Sequence, residues 1–253
     1  KNKEKRLKSI TRKYITKAET LLMKLEKNIP KLPVSDDYDI TVYIMIKQYM
    51  NLMKKHIDLV QRRIINGEQI PHQEKMFSVF ETYTEMIKKG KLRPNVELGK
   101  KLAITTDQYH LIVDYKLMEE EQDRDIIHEL TKRLLFRYTV CSWSFDKGFW
   151  SIENKTILKE GVSDVIMPKL GKRNSAEENE EGSRKFKKLK NWHSAIESNI
   201  NELEHRGLDR CPDKGYSHYK RYVGLAVLAY NLKKIGRQLL EDEKKRQQRA
   251  TAA

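Results

Sequence analysis

Two acidic side chains, Asp146 and Glu197, stand in local settings that suit metal-assisted phosphate chemistry. Asp146 lies in the stretch Val140-Cys141-Ser142-Trp143-Ser144-Phe145-Asp146-Lys147-Gly148-Phe149, where Cys141, Trp143 and Phe145 alternate with Ser142, Ser144 and Asp146. That alternation describes a strand with bulky groups on one face and small polar ones on the other. It leaves an open approach to Asp146, and Gly148 lets the backbone turn just beyond. Glu197 belongs to the segment from His193 to Gly207, in which Ile196, Ile200 and Leu203 recur at i, i+4 and i+7 as one helical stripe. It sits about 100° round from Ile196, at the edge of the stripe, so its carboxylate can lean into a cleft while the helix packs on a core. Gly207 suits the end of that helix. Carboxylates from a strand tip and a helix can together hold hard divalent cations. Two such ions about 4 Å apart activate a water or 3′-hydroxyl and stabilise the leaving oxygen at a phosphodiester. The two acids are 51 residues apart, so only a fold can unite them. Each has a plainer reading, Asp146 as the cap of the Lys147-Gly148 turn and Glu197 as a surface residue of an amphipathic helix.

The neighbours of these acids are basic. Arg184, Lys185, Lys187, Lys188 and Lys190 form the densest basic run and lead into the Glu197 helix. With Lys147 and His193 they are candidates for holding DNA phosphates, the alternative being a solvated face. Trp150 and Trp192 flank the same region and read as ordinary packing or as stacking on an unpaired base. His72, His110, His205 and His218 have no zinc-ligand spacing, and the glycines form neither a dinucleotide nor a Walker pattern. Over the whole chain 51 Lys and Arg face 36 Asp and Glu, a formal charge of +15. That excess favours a polyanionic partner, nucleic acid first and an anionic membrane surface second. No apolar run approaches the ~20 residues of a membrane span. Cys141 and Cys211 lack CxxC spacing and read as reduced thiols of a cytosolic protein.

The elements that must position these residues follow from periodicity. Residues 1 to about 65 read as two helices. The first carries Ile10, Tyr14, Ile15, Ala18, Leu21, Leu22 and Leu25; Pro30 and Pro33 break it; the second is capped by Asp36 or Asp37 and carries Val42, Ile46, Tyr49, Met53, Ile57 and Val60. Strands are expected at Met76 to Phe80, Leu98 to Thr106 and Leu111 to Met118, the last two forming an antiparallel hairpin around Asp107 to His110. A helix from Asp123 to Tyr138, the Asp146 strand, a helix from Glu153 to Glu160 and a strand from Asp164 to Pro168 complete an α/β unit. Residues 172 to 183 are acidic and read as a mobile loop. A last helix, Tyr219 to Leu240, is expected to pack inward through Tyr222, Leu225, Ala226, Ala229, Leu232 and Ile235, with the tail from Glu241 fraying.

The order hairpin, helix, strand ending in Asp146, small α/β unit and Glu197 helix resembles that of a ribonuclease H-like catalytic domain. Ser144 to Phe149, Val165-Ile166-Met167-Pro168-Lys169-Leu170-Gly171-Lys172, His193 to Ile200 and Arg221 to Leu232 occur in this order, after Glu74-Lys75-Met76-Phe77-Ser78-Val79-Phe80-Glu81. Together they resemble the DDE transposases of bacterial insertion sequences, over about residues 60 to 240. The resemblance implies an α/β fold, a ribonuclease H-like mixed sheet flanked by helices, with an N-terminal helical hairpin. The implied domains are 1–66 for the hairpin, 67–240 for the catalytic domain and 241–253 for a disordered tail. It implies metal-dependent DNA cleavage and strand transfer, with Asp146 and Glu197 catalytic and holding Mg²⁺ or Mn²⁺. The implied partners are terminal inverted repeats, target DNA and a second subunit on DNA, in the bacterial nucleoid and away from membranes. Two departures stand out. The family has Arg four residues before the Glu and Lys seven after it, where this chain has His193 and Glu204. The family's first catalytic Asp is expected upstream of Lys1, Glu81 and Asp107 being the in-chain substitutes. The alternative is therefore a truncated, inactive DNA-binding remnant.

Overall fold

Thr11, Ile15, Ala18 and Leu22 recur at i, i+4, i+7 and i+11 and form the buried stripe of α1 (Asn2–Asn28) in the computed structural model, which describes residues 2–88, 96–193 and 195–251. Pro30 lies in a single tight turn that ends α1. The chain re-enters helix as α2 (Asp37–Val60), where Asp36 is the N-cap and accepts from the Asp39 amide at 2.8 Å. Ile15, Ala18, Leu22 and Ile29 meet Met50 and Ile57 as the core of this hairpin. Ile10, Tyr14, Leu21 and Leu25, apolar residues of the same helical spacing, are exposed. A wide turn at Gln61–Ile65 follows, tied by Arg62 to Asp58, Glu68 and Glu74. Residues 76–80 form no strand. The first pair is instead β1 (Glu85–Lys88) antiparallel to β2 (Val96–Gly99).

Two units result, Lys1–Gly99 and Lys100–Ala253. The division falls inside the segment expected to be one strand, because Leu98 to Thr106 is two strands with different partners. β2 pairs with β1, whereas β3 (Leu102–Thr106) pairs antiparallel with β4 (Ile112–Leu117). The β3–β4 hairpin closes through Asp107, whose Oδ1 accepts from the amides of Tyr109 and Leu111, both at 2.9 Å. Asp107 is therefore a turn residue.

The rest of the second unit is α3 (Ile127–Arg137), β5 (Ser142–Ser144), α4 (Ile152–Lys159), β6 (Asp164–Ile166), α5 (Ser175–Gly182), α6 (Arg184–His193), α7 (Ala195–Leu203) and α8 (Tyr216–Thr251). β5 and β6 are parallel, joined by the α4 crossover. Ile126, Ile127, Leu130 and Leu134 pack against Trp143, Phe145, Leu158, Val165 and Met167 as the main core. A second cluster joins Ile112, Leu203, Val227 and Tyr230. The chain is thus α/β with a helical N-terminus, and the strands pair as three two-stranded sheets among the described residues.

Three expectations are corrected here. Residues 175–182 are helix, not loop: Asn174 and Glu177 cap each other's backbone amides, and Glu177, Glu180 and Glu181 bind Lys169, Lys155 and Arg173. α8 continues to Thr251, through Glu, Lys, Arg and Gln that favour helix on their own. Its inward face is Val223, Val227 and Tyr230, while Leu225, Leu232 and Ile235 face outward.

Candidate functional site

Asp146 follows β5 and opens the tight turn Lys147–Phe149, yet its carboxylate makes no capping bond to that turn. Asp146 thus stands at the cap position of the turn without a side-chain bond to it. The side chain reaches instead to His193, whose Nε2–H donates to Oδ1 at 3.1 Å. Asp146 remains 77% exposed and the His193 ring only 16%. The bond from His193 holds the Asp146 carboxyl below the usual carboxylate range, against the opposing effect of burial. His193 Nδ1 is buried and has no partner among the described residues. Gly148 fits because a Cβ there would come within 2.5 Å of the Asp123 carboxylate.

α6 is set in place by its apolar side. Phe186 is buried, Leu189 and His193 are half-buried, and the Ser144 hydroxyl donates to the Leu189 carbonyl at 3.2 Å. The i, i+3, i+7 spacing of these three residues puts one stripe against β5 and β6. Everything else on α6 points out. Arg184, Lys187, Lys188, Lys190 and Trp192 are exposed, as is Lys147. Lys185 pairs with Asp164 at 2.6 Å and Lys188 lies over the Trp192 ring at 5.8 Å. Arg184, Lys187, Lys190 and Lys147 form no ion pair among the described residues. The acidic α5 does not neutralise them, since three of its four carboxylates are taken by Lys155, Lys169 and Arg173. A single extended residue, Ser183, separates the two helices and caps α6 through the Phe186 amide.

Glu197 is exposed on α7 and carries no hydrogen bond or ion pair among the described residues. The inward face of α7 is Asn199 and Leu203, both 3% exposed, with Ile200 turned outward. Asn199 accepts from the Tyr230 hydroxyl at 2.8 Å, and that hydroxyl also reaches the His110 carbonyl at 3.1 Å. Next to it the Asn231 amide grips β4, accepting from the Ile112 N–H at 2.9 Å and donating to the Ile112 carbonyl at 2.8 Å. These polar anchors escaped sequence reading; their signal was Asn within otherwise apolar helical stretches.

The structure thus joins Asp146 to the end of the basic helix whose chain continues into Glu197. It forms no bond between Asp146 and Glu197, and no three His, Cys, Asp or Glu side chains gather as a metal cage among the described residues. Of the substitute acids, Asp107 is committed to its turn, and Glu81 belongs to the other unit. Trp150 packs partly on the main core with Lys169 5.3 Å from its ring, whereas Trp192 is open to solvent. Both cysteines are free, and no helix among the described residues is long and apolar enough to cross a membrane. Comparison with protein-family models, with curated proteins and with solved structures found nothing that matches this chain.

Proposed function

We propose that the second unit is a ribonuclease H-like catalytic domain of the DDE transposase kind, cutting and joining DNA at the terminal inverted repeats of a mobile element. The observation that carries this reading is the Asp146 side chain. It is free of its own turn, largely exposed, and held on one oxygen by the last residue of a basic helix. Mg²⁺ keeps several waters and takes only one or two carboxylates, so Asp146 and Glu197, both exposed, suit it or Mn²⁺. When bound, such an ion activates the attacking oxygen and stabilises the leaving one.

The chain's own residues hold and orient. His193 holds the Asp146 carboxylate through its ring N–H. Lys147, Arg184, Lys187, Lys188 and Lys190 offer cations to phosphates, and Lys185 does so in competition with Asp164. Arg184 and Lys185 occupy the first turn of α6, where positive charge opposes the helix dipole. Their placement weakens the helix and favours an anion, which argues against a purely solvated face.

A second reading is favoured by the count of carboxylates. With two acids and no third ligand gathered among the described residues, the chain binds DNA and does not cut it. Nicking of a terminal-repeat duplex in Mg²⁺ or Mn²⁺ separates the two. Metal-dependent nicking abolished by Asp146→Asn and by Glu197→Gln supports the enzyme. Salt-sensitive binding without nicking supports the remnant. Undiminished nicking by either variant overturns the site.

A further inference from the structure

The helix α5 buries none of its side chains. Its sequence, Ser175-Ala176-Glu177-Glu178-Asn179-Glu180-Glu181-Gly182, offers no large apolar group with which to pack. Charge holds it instead. Glu180 meets Lys155 of α4 at 2.6 Å, and Glu177 and Glu181 meet Lys169 and Arg173, beyond β6, at 2.7 and 2.8 Å. Glu181 also accepts from the Lys169 amide at 2.8 Å. The Lys155 and Lys169 side chains are only 21% and 22% exposed, so their charge faces α5 rather than water. A cleft of about 240 Å³ lies between α4 and α5, with Lys155, Lys159 and Lys169 facing Glu177, Glu180 and Glu181. Lys159 is exposed and enters no ion pair among the described residues.

We propose that α5 is an internal competitor for phosphate, an acidic helix that keeps Lys155, Lys169 and Arg173 from a nucleic-acid backbone until that backbone displaces it. Carboxylates and phosphates draw on the same ammonium and guanidinium donors, so each can stand in for the other. Ion pairs near a surface are individually weak and screened by salt. A helix attached by them, with no side chain in the core, can leave without disturbing that core. Gly182 ends α5, and the single extended residue Ser183 joins it to α6. A polyanion drawn to Arg184, Lys187 and Lys190 therefore arrives beside the carboxylates of α5 and repels them. Lys159 gives it a foothold in the cleft, and release of α5 adds three cations to the surface it meets. The inference rests on the second unit binding nucleic acid and not on its cutting any.

The test uses the full chain and a short duplex of arbitrary sequence, followed by fluorescence anisotropy over a salt series. Glu177→Gln/Glu180→Gln/Glu181→Gln removes the competing charge and keeps the acceptor oxygens, and Gln serves in the capping box as Glu does. The control, Glu153→Gln/Glu160→Gln/Glu178→Gln, makes the same change in net charge at exposed carboxylates that enter no ion pair among the described residues. The first triple variant is expected to bind about tenfold more tightly than the control, with a log–log salt slope steeper by about 0.9 for each phosphate gained. In the unaltered chain, adding the duplex should speed hydrogen exchange over residues 175–182. Equal affinities for the two triple variants overturn the proposal and leave DNA binding standing. Exchange that is unchanged or slowed over 175–182 overturns it as well. Failure of every form to bind at low salt overturns it together with the nucleic-acid reading. Both expected effects without any nicking support it while the catalytic reading fails.

Discussion

His193 is the residue on which the Asp146 carboxylate depends, because its Nε2–H supplies, among the described residues, the hydrogen bond that holds that carboxylate below the ordinary range. A carboxyl lowered on folding gains from its partner above the unfolded-chain pKa and loses that gain only as pH falls through the folded value. The bond therefore persists at neutral pH and fails in acid, below the usual Asp range. His193→Ala should raise the Asp146 midpoint toward that of a free Asp, seen by carboxyl-carbon NMR titration. Asn231 offers a second single-residue test. Asn231→Ala strands a buried N–H and carbonyl at Ile112, which should lower stability by ~1–3 kcal/mol in urea unfolding.

At the scale of elements, α5 stands on its capping box. Asn174→Ala should cost that helix about 1 kcal/mol, raising hydrogen exchange over residues 175–182 with little change in the global midpoint. For α6 the expectation is electrostatic. Replacing Arg184, Lys187 and Lys190 together by Ala should weaken DNA binding across sequences. It should also flatten the salt dependence by about 0.9 in log–log slope for each phosphate no longer neutralised. Much of this layout could be read in advance. The two N-terminal helices, the β3–β4 hairpin, the strand before Asp146 and the basic run emerged from periodicity and turn chemistry. What failed did so for physical reasons. The Asn174-x-x-Glu177 box was hidden by an acidic composition that resembles disorder. β1 lacks the alternation that marks a half-buried strand. On α8 two apolar stripes compete, and periodicity cannot say which one meets the core. The Asp146–His193 bond spans 47 residues and was beyond any local pattern.

Over the whole molecule, two units with separate cores imply separable stability. Ile15→Ala, in the core of the first unit, should destabilise that unit by ~2–5 kcal/mol. The Asp146 titration in the second should not move. The excess of +15 acts on both, raising the rate of encounter with polyanions more than it shapes either fold. The two hydrogen bonds from Asn231 to Ile112 have a consequence of another kind. They lock α8 against rolling on the β3–β4 hairpin, and a roll of one residue would swing its outer leucines by about 100°. The bearing of that far face is thus inherited from a strand it never touches, and a change at position 231 would be felt there as misalignment, with every leucine still in place.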